Sequence, residues 1–467
     1  MKLIRNTIFL YIFFLISLFI FEPDYSSNIN ILLLTLYISF FLLSVLAHFI
    51  KNRHNKNWFR LDVLFILGFG IVHFQWPIMC AFSNIQPNLR FEVQHMNYGT
   101  WLSTLGVVSW LIGYDFLFTE RNKYNTLFLL NYTKLFWFTL LSYMLFLLNA
   151  GSDFLSGSIY KGSGTGGVAE GIGVYFQLLT GISIAVLTTI VILDSKNKYK
   201  SNLFNWLIIL DKKYLILASS YIALFLSIGD RGGAMELSLS FLVLIGQLIR
   251  PIKLKEFILI AIIGAVILTL IGLGRSSDAD ENILIAGANN ADITSGYDVT
   301  LELANSVRTL YKALSEVPEH HNYFYGKLWM SKLLATVPFA QNIYLELTGD
   351  IPYELGSAGY ITYLTFGLNP TSGEGTTIVA DIFLNFGLPG VMFFLFLLGM
   401  FFKKLQNELI TQNNYYWIIA GTVLASVALY MGRGSLFDGL RPILWALVLP
   451  VFLIKKIPPK TYLNSKK

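Results

Sequence analysis

Four arginines lie beside glycines at the ends of long apolar segments, where they could bind a phosphate or pyrophosphate group. They are Arg231 in GDRGG, Arg275 in GLGR, Arg433 in GRG and Arg441 in GLRP. A guanidinium stays charged and presents a planar fork of donors to an oxyanion, and a neighbouring glycine lets a ligand approach the backbone. In the alternative interpretation, each arginine reaches the lipid headgroups and pairs with an acid such as Asp230 or Asp438.

A polar stretch of about a hundred residues, 275–376, separates two sets of apolar segments. It contains twelve acids, many tyrosines and the only adjacent histidine pair, His320-His321. Carboxylates accept hydrogen bonds from sugar hydroxyls and aromatic rings stack on sugars, so this composition suits oligosaccharide binding. It also suits a cap that lies on the membrane with its rings at the interface. Apolar spacing predicts an amphipathic helix over 299–314 and a second short helix over 327–335.

The apolar segments define the class of protein. Hydrophobic residues make up 55% of the 467 residues and charged residues 13%, against about 25% charged in an average soluble domain. Segments long enough to cross a bilayer occur near 3–21, 29–50, 61–82, 98–118, 127–149, 172–193, 212–229, 233–249, 256–274, 378–402, 415–432 and 440–457. We therefore predict an all-α polytopic integral membrane protein with about twelve transmembrane helices. Its regions would be spans 1–9 (1–274), an extracytoplasmic helical loop (275–376) and spans 10–12 (377–467).

The distribution of Lys and Arg predicts the orientation. With the N-terminus inside, the inner segments carry 24 of the 34 basic residues, the short outer connectors carry five and the polar stretch carries five. Cytoplasmic loops carry an excess of Lys and Arg. We therefore predict that both termini are cytoplasmic and that 275–376 faces outward.

Other chemistry is sparse in the sequence. Residues 157–167 resemble a phosphate loop but lack its Gly-Lys-Ser/Thr ending, and no spacing of Cys and His suggests a zinc site. Cys80 is the single cysteine, so no intrachain disulfide is expected. We expect no metal ion, no cofactor and no nucleic-acid partner.

The segment 370–390, PTSGEGTTIVADIFLNFGLPG, and the following run FFLFLLG carry the most specific signal. A polar, glycine-rich approach leads to an acid, an aromatic-Leu-Asn-Phe-Gly run and an apolar span. This pattern resembles the junction between outer loop and membrane in the Wzy-type oligosaccharide repeat-unit polymerases, with Asp381 where the family commonly has Glu. The DRGG turn after Gly229 also resembles the family's arginine turn, whereas the arginine-x10-glycine pattern of some members is absent.

The resemblance implies transfer of a growing glycan from undecaprenyl pyrophosphate to a new lipid-linked repeat unit, which builds O-antigen or capsular polysaccharide at the outer face of the bacterial cytoplasmic membrane. The four arginines would stabilise the departing pyrophosphate. A base would accept the proton of the attacking sugar hydroxyl, and the candidates are Asp381, Glu374 and His320. Asp381 could instead cap a helix or pair with an arginine. Membrane lipids, a flippase and a chain-length regulator would be the partners.

Three functions other than polymerisation are alternatives for this sequence pattern: ligation, transport and structural assembly. An O-antigen ligase shares the topology and the pyrophosphate chemistry but delivers glycan to a different acceptor; the DIFLNFG run favours the polymerase. A lipid-linked oligosaccharide flippase or other transporter would need a polar path through the midplane, and mid-span ionisable residues are few: His73, Asp381 and Glu236 lie within or near spans. A structural assembly partner would not need the outer arginines.

Overall fold

The computed structural model describes residues 2–83, 85, 87, 91–116, 129–157, 171–199, 202–274, 283–290, 297–370, 372–412 and 414–455. Arg275 lies outside the described residues, as does most of the phosphate-loop-like segment. The described chain is almost entirely helical. Its two strands, β1 (Leu129–Leu130) and β2 (Ile454–Lys455), have two residues each and pair antiparallel.

The described ranges contain twenty α-helices in chain order. They are α1 (Lys2–Ile20), α2 (Ile31–Lys51), α3 (Leu61–Ser83), α4 (Met96–Phe116), α5 (Tyr132–Asn149), α6 (Ser152–Leu155), α7 (Ile172–Ser195), α8 (Leu203–Ile209), α9 (Lys212–Ile228), α10 (Arg231–Leu244), α11 (Leu254–Gly274), α12 (Ile283–Asn289), α13 (Asp298–Ala304), α14 (Arg308–Glu316), α15 (Met330–Leu334), α16 (Ala340–Thr348), α17 (Ser357–Phe366), α18 (Ile378–Thr411), α19 (Tyr415–Val427) and α20 (Leu440–Leu453). A π-helical turn, Ile245–Ile249, continues α10. Single 3₁₀ turns lie at Val93–His95, Lys196–Lys198, Asn305–Val307, Lys327–Trp329, Pro352–Leu355 and Met431–Arg433.

The helices have the dimensions and composition of a membrane protein. Within the described residues, six are long and apolar enough to cross a bilayer: α2, α3, α7, α10 with its π turn, α11 and α18. Helix α11 leaves Ile258, Leu259, Ile262 and Ile263 exposed, which suits contact with lipid tails rather than water. An all-helical polytopic membrane protein is therefore confirmed. All twelve predicted segments contain a helix, but twelve crossings remain a prediction.

Contacts between helix ends sort the connectors into two groups. The helix ends predicted to be cytoplasmic contact one another. Lys51 Nζ forms an ion pair with Asp115 Oδ1 at 2.7 Å. Leu61 N–H donates to Gln406 Oε1 at 3.0 Å, and Trp58 N–H donates to Ile252 O at 2.9 Å. The ends predicted to be outside contact the polar stretch through Tyr25 Oη and Leu314 O (2.8 Å), Lys332 Nζ and Asp438 Oδ1 (2.6 Å), and Trp445 Nε1 and Thr336 O (2.8 Å). The polar stretch therefore covers one end of the helical bundle.

Both helices predicted in the polar stretch are present. The first is α13 and α14 joined by a 3₁₀ turn, which together cover 298–316. The second is the 3₁₀ turn Lys327–Trp329 followed by α15. Helices α16 and α17 were not predicted, because neither has the strongly one-sided apolar pattern that marks α14.

A break in α18 attaches the polar stretch to the bundle. Gly387 adopts φ 64° and ψ −159°, outside the helical region, and Pro389 follows it. The break frees backbone carbonyls that the helix would otherwise use, and these accept amides of the polar stretch: Phe324 N–H donates to Leu384 O (3.0 Å) and Tyr325 N–H to Asn385 O (2.9 Å). The DIFLNFG run is therefore where the polar stretch, which we also call the covering domain, attaches to the helical bundle.

Replacing Gly387 by alanine should destabilise the protein strongly. The backbone conformation at Gly387 is open almost only to glycine, and an added Cβ would lie 2.8 Å from Tyr323 Cζ. Strain and overpacking together should cost roughly 2–5 kcal/mol, seen as a lower thermal midpoint of the purified protein. Gly373→Ala is the matched control, because nothing lies within 4 Å of its Cβ. An unchanged midpoint for Gly387→Ala would contradict this account.

Candidate functional site

Arg231 is positioned by the start of α10. Gly229 ends α9 in a left-handed conformation (φ 84°), and the Asp230 carboxylate caps α10 by accepting from Gly232 N–H at 2.8 Å. The guanidinium of Arg231 then lies against the polar stretch, where Nη1 donates to Glu302 Oε2 at 2.7 Å and Nη2 donates to Glu302 Oε1. Nη1 also donates to Leu268 O at 3.1 Å. This bidentate ion pair holds the Arg231 guanidinium in one orientation.

Arg433 lies next to this pair. It ends the 3₁₀ turn Met431–Arg433, which packs closely on α3, since a Cβ on Gly432 would lie 3.1 Å from Phe69 Cα. Its Nη1 is 3.9 Å from Glu302 Oε1, and its guanidinium makes no hydrogen bond with any residue of the described ranges. The Arg433 side chain is 41% exposed, against 16% for Arg231. Arg433 is therefore the arginine that a ligand can reach.

A second ion pair completes the group. Arg308, the first residue of α14, donates from Nε to Glu374 Oε2 at 2.6 Å. The Glu374 side chain is almost fully buried, and its backbone N–H donates to Thr362 Oγ1 at 3.0 Å. We call Arg231, Arg308, Arg433, Glu302 and Glu374 the arginine cluster.

The charges of the arginine cluster do not balance. Three arginines face two glutamates, and Arg433 has the weakest pairing. Burial lowers the pKa of the Arg433 guanidinium, and Glu302 opposes that shift. The positive fields of Arg231 and Arg308 lower the pKa further. An arginine does not lose its proton under such shifts, so the uncompensated positive charge favours a bound anion.

Asp381 occupies a different position. It lies in the first part of α18, its side chain is fully buried, and its two oxygens accept four hydrogen bonds. The donors are Ser357 Oγ (2.6 Å) to Oδ1, and Trp329 Nε1 (2.9 Å), Ser435 Oγ (2.9 Å) and Leu436 N–H (2.9 Å) to Oδ2. These groups come from the polar stretch and from the connector before α20, which also carries Arg433. The Asp381 carboxylate therefore joins α18, the polar stretch and the connector before α20.

His320 lies on the exposed surface of the polar stretch. Its Nδ1 is 2.9 Å from Ser315 O, and its backbone N–H donates to Glu316 O, so its described contacts are with its own turn. No contact joins it to the arginine cluster within the described part of the chain.

Replacing His320 by alanine should leave activity nearly unchanged. An exposed side chain whose contacts within the described part of the chain are with its own turn supports no buried contact and touches no residue of the arginine cluster, so the rate of glycan polymerisation should stay within about twofold. Chain-length distributions of glycan from cells that carry the variant would test this. Loss of the long chains, with normal protein levels, would restore His320 as a candidate base.

Arg441 does not join the arginine cluster. Its guanidinium carbon lies 5.1 Å from the ring centre of Tyr175 and 5.2 Å from that of Trp445, which are cation–π distances. The structure therefore brings together two of the predicted arginines, Arg231 and Arg433, and separates Arg441 from them.

Sequence reasoning missed Glu302 and Arg308. Both lie in the predicted amphipathic helix, and asking which acid of that helix could neutralise an outer arginine would have pointed to Glu302. Of the arginines that the structure describes, Arg231, Arg433 and Arg441 form no ion pair with Asp230 or Asp438. Asp230 caps α10, and Asp438 pairs with Lys332.

The fold is that of a polytopic integral membrane protein with a cluster of arginines beneath the polar stretch. The family model described as O-antigen polysaccharide polymerase Wzy matches residues 3–461, nearly the whole chain. The chain therefore belongs to the Wzy family of O-antigen polysaccharide polymerases, which confirms the resemblance of the DIFLNFG segment. No curated protein and no solved structure matches it.

Membership of the family gives the activity in general terms. The protein is an integral membrane polymerase with glycosyltransferase-type activity, and it acts on lipid-linked oligosaccharide repeat units in O-antigen biosynthesis. The ligase and transporter alternatives are not favoured.

Proposed function

We propose that the protein transfers the growing glycan from undecaprenyl pyrophosphate to a lipid-linked repeat unit, and that the arginine cluster binds the pyrophosphate. The observation that carries this proposal is Arg433, an accessible guanidinium without a close counter-ion beside two other arginines. A pyrophosphate supplies several oxygens to such a site, and planar guanidinium groups bind them in pairs.

The arginines would act on the leaving group. As the bond between the sugar and the pyrophosphate breaks, negative charge grows on the departing oxygen, and fixed positive charge stabilises that state more than the bound substrate. Arg433 would contact the phosphate oxygens directly. Arg231 and Arg308, held by Glu302 and Glu374, would keep the surrounding positive field in place. Arg275 stays a proposed contributor at the end of α11.

The candidate bases differ in their surroundings. Asp381 accepts four hydrogen bonds and is fully buried, so its lone pairs are occupied and a sugar hydroxyl cannot reach it; we propose a positioning role. Glu374 would have to leave Arg308 before accepting a proton. His320 contacts its own turn on the surface.

We further propose the orientation and partners that the sequence predicts. Both termini would face the cytoplasm, and the polar covering domain would face outward from the bacterial cytoplasmic membrane, where a flippase delivers lipid-linked units. The grouping of basic connectors at one end of the bundle supports this orientation. A chain-length regulator would act on the same growing glycan.

A gel of lipid-linked glycan from the host with its own copy deleted tests the proposal. Deletion should leave single repeat units, and the wild-type protein should restore the ladder of longer chains. A complete ladder that never reaches its final acceptor would indicate a ligase. Lipid-linked units that accumulate on the cytoplasmic face would indicate a transporter.

A further inference from the structure

A cavity of about 290 Å³ lies between α7, α9, α10, α19 and α20. Its lining is rich in groups that bind sugar hydroxyls: Gln177, Tyr221, Asp230, Glu236, Ser426 and Arg441. Gly181, Gly232 and Gly233 form part of the wall. Gly233 lets α9 and α10 pack closely there, because an added Cβ would lie 2.6 Å from Phe225 Cδ1. Its volume is at the lower end for small-molecule sites, which suits a single sugar ring rather than a lipid tail.

Glu236 faces this cavity, and its carboxylate has no hydrogen-bond or ion-pair partner among the described residues. It lies in α10, one turn and a half beyond Arg231, and is surrounded by the helices of the bundle, yet its side chain is exposed. The exposed surface is therefore cavity surface. Among the described residues, none donates a hydrogen bond to its carboxylate or forms an ion pair with it. A carboxylate is rarely left inside a membrane protein without a partner unless it has a function.

Arg441 brings a second unpaired group to the same cavity. Its Nε and Nη2 are buried and have no hydrogen-bond partner among the described residues. Its guanidinium is held in place by Tyr175 and Trp445, whose rings are stacked at 6.2 Å with an interplanar angle of 13°. Burial keeps a ligand away from these two nitrogens, so a ligand in the cavity would contact Arg441 through Nη1, which is not among the buried atoms.

The cavity adjoins the arginine cluster. Asp230 lines the cavity, and the next residue, Arg231, belongs to the cluster, so the first turn of α10 separates the two. Tyr430 interacts electrostatically with Arg231 and Arg433 of the cluster and also with Glu236 of the cavity. A sugar in the cavity would therefore lie close to a pyrophosphate bound at the arginines.

We propose that this cavity binds the terminal sugar of the acceptor repeat unit, and that Glu236 is the general base of the polymerisation. This inference rests on the proposed function. It completes the site, because Asp381 and Glu374 are engaged in other contacts, His320 lies on the surface, and Glu236 is a carboxylate free to accept a proton. Arg441 would hydrogen bond to the acceptor sugar and orient it.

The reaction then balances as a single displacement. The hydroxyl oxygen of the acceptor sugar attacks the anomeric carbon of the donor glycan and forms the new glycosidic bond. The bond from that carbon to the pyrophosphate oxygen breaks, and its electron pair stays on the pyrophosphate at the arginine cluster. The hydroxyl proton passes to Glu236. The products are the lengthened lipid-linked glycan and undecaprenyl pyrophosphate.

Glu236→Gln separates chemistry from binding. The full-length protein in nanodiscs is assayed with lipid-linked repeat units purified from the deletion host, and its affinity for undecaprenyl pyrophosphate is measured separately. Glu236→Gln should polymerise at least about 100-fold more slowly than the wild type, while its affinity for undecaprenyl pyrophosphate stays within about twofold. Glu346→Gln, an exposed acid of α16, is the control and should match the wild type in both measurements.

The outcomes separate this inference from the function on which it rests. If the wild type makes no polymer from these units, the proposed function fails and the inference with it. If the wild type polymerises and Glu236→Gln keeps its rate, Glu236 is not the base. Loss of both rate and affinity would equally overturn the assignment, since Glu236 would then support the pyrophosphate site. If Glu236→Gln fails to fold, Glu236→Asp is tested instead. Its shorter side chain places the carboxylate farther from the acceptor hydroxyl, so polymerisation should be at least about tenfold slower than in the wild type. A wild-type rate would overturn the inference.

Discussion

Replacing Arg433 by alanine should abolish the ladder of long glycan chains while the protein stays folded. Arg433 makes no close ion pair, and Glu302 keeps its two bonds to Arg231, so the substitution breaks little structure. Loss of one group that stabilises charge in a transition state typically lowers the rate 10²–10³-fold, and we expect roughly that loss here. The same variant should bind undecaprenyl pyrophosphate more weakly.

Two further variants make this result interpretable. Arg250→Ala is the matched control, because Arg250 pairs with Glu256 at 3.0 Å just beyond the opposite end of α10; it should polymerise like the wild type. Arg433→Lys keeps the charge and loses the planar fork, so it should recover only part of the rate. The assignment of an anion site at Arg433 would be wrong if Arg433→Ala made normal ladders at normal protein levels.

Replacing Asp381 by alanine should unfold the region around it. The change leaves four buried donors, from Trp329, Ser357, Ser435 and Leu436, without their acceptor. An unsatisfied buried group costs about 1–3 kcal/mol, although the two hydroxyls can turn to other acceptors. We therefore expect a loss of about 3–6 kcal/mol in the free energy of unfolding, and no ladder. Thermal unfolding of the purified variant measures the first effect.

Asp381→Asn tells a positioning residue from a base. An asparagine oxygen in place of Oδ2 can still accept from Trp329, Ser435 and Leu436, and its NH₂ group can donate to the Ser357 hydroxyl once that hydroxyl turns. The variant should therefore fold and keep polymerisation within about tenfold of the wild type. A folded but inactive Asp381→Asn would identify Asp381 as the base that the sequence pattern suggested. Asp350→Ala, which removes a partly exposed partner of Lys327 and Tyr344, should change neither property.

The prediction of Asp381 from the sequence illustrates a general limit. The DIFLNFG run resembles a family pattern that contains an acid, an asparagine and a glycine, but a pattern does not show what these residues contact. In the structure, Asp381 and Asn385 accept hydrogen bonds from the covering domain, and Gly387 opens the helix so that this domain can attach. A motif that identifies a family can therefore be one that builds the site.

The sequence by itself determined the membrane class, the long apolar helices, the grouping of their ends and the arginines at one end, because these follow from hydropathy, charge and spacing along the chain. It also identified the family. Tertiary structure alone decided which arginines meet: Arg231 and Arg433 come together around Glu302, and Arg441 faces a separate cavity with Glu236. Pairing between charges far apart in the chain depends on how helices pack, and that packing has no signature in local spacing. Exposure, which distinguishes the accessible side chains of Arg433 and Glu236 from the buried side chain of Asp381, is likewise a property of the assembled bundle.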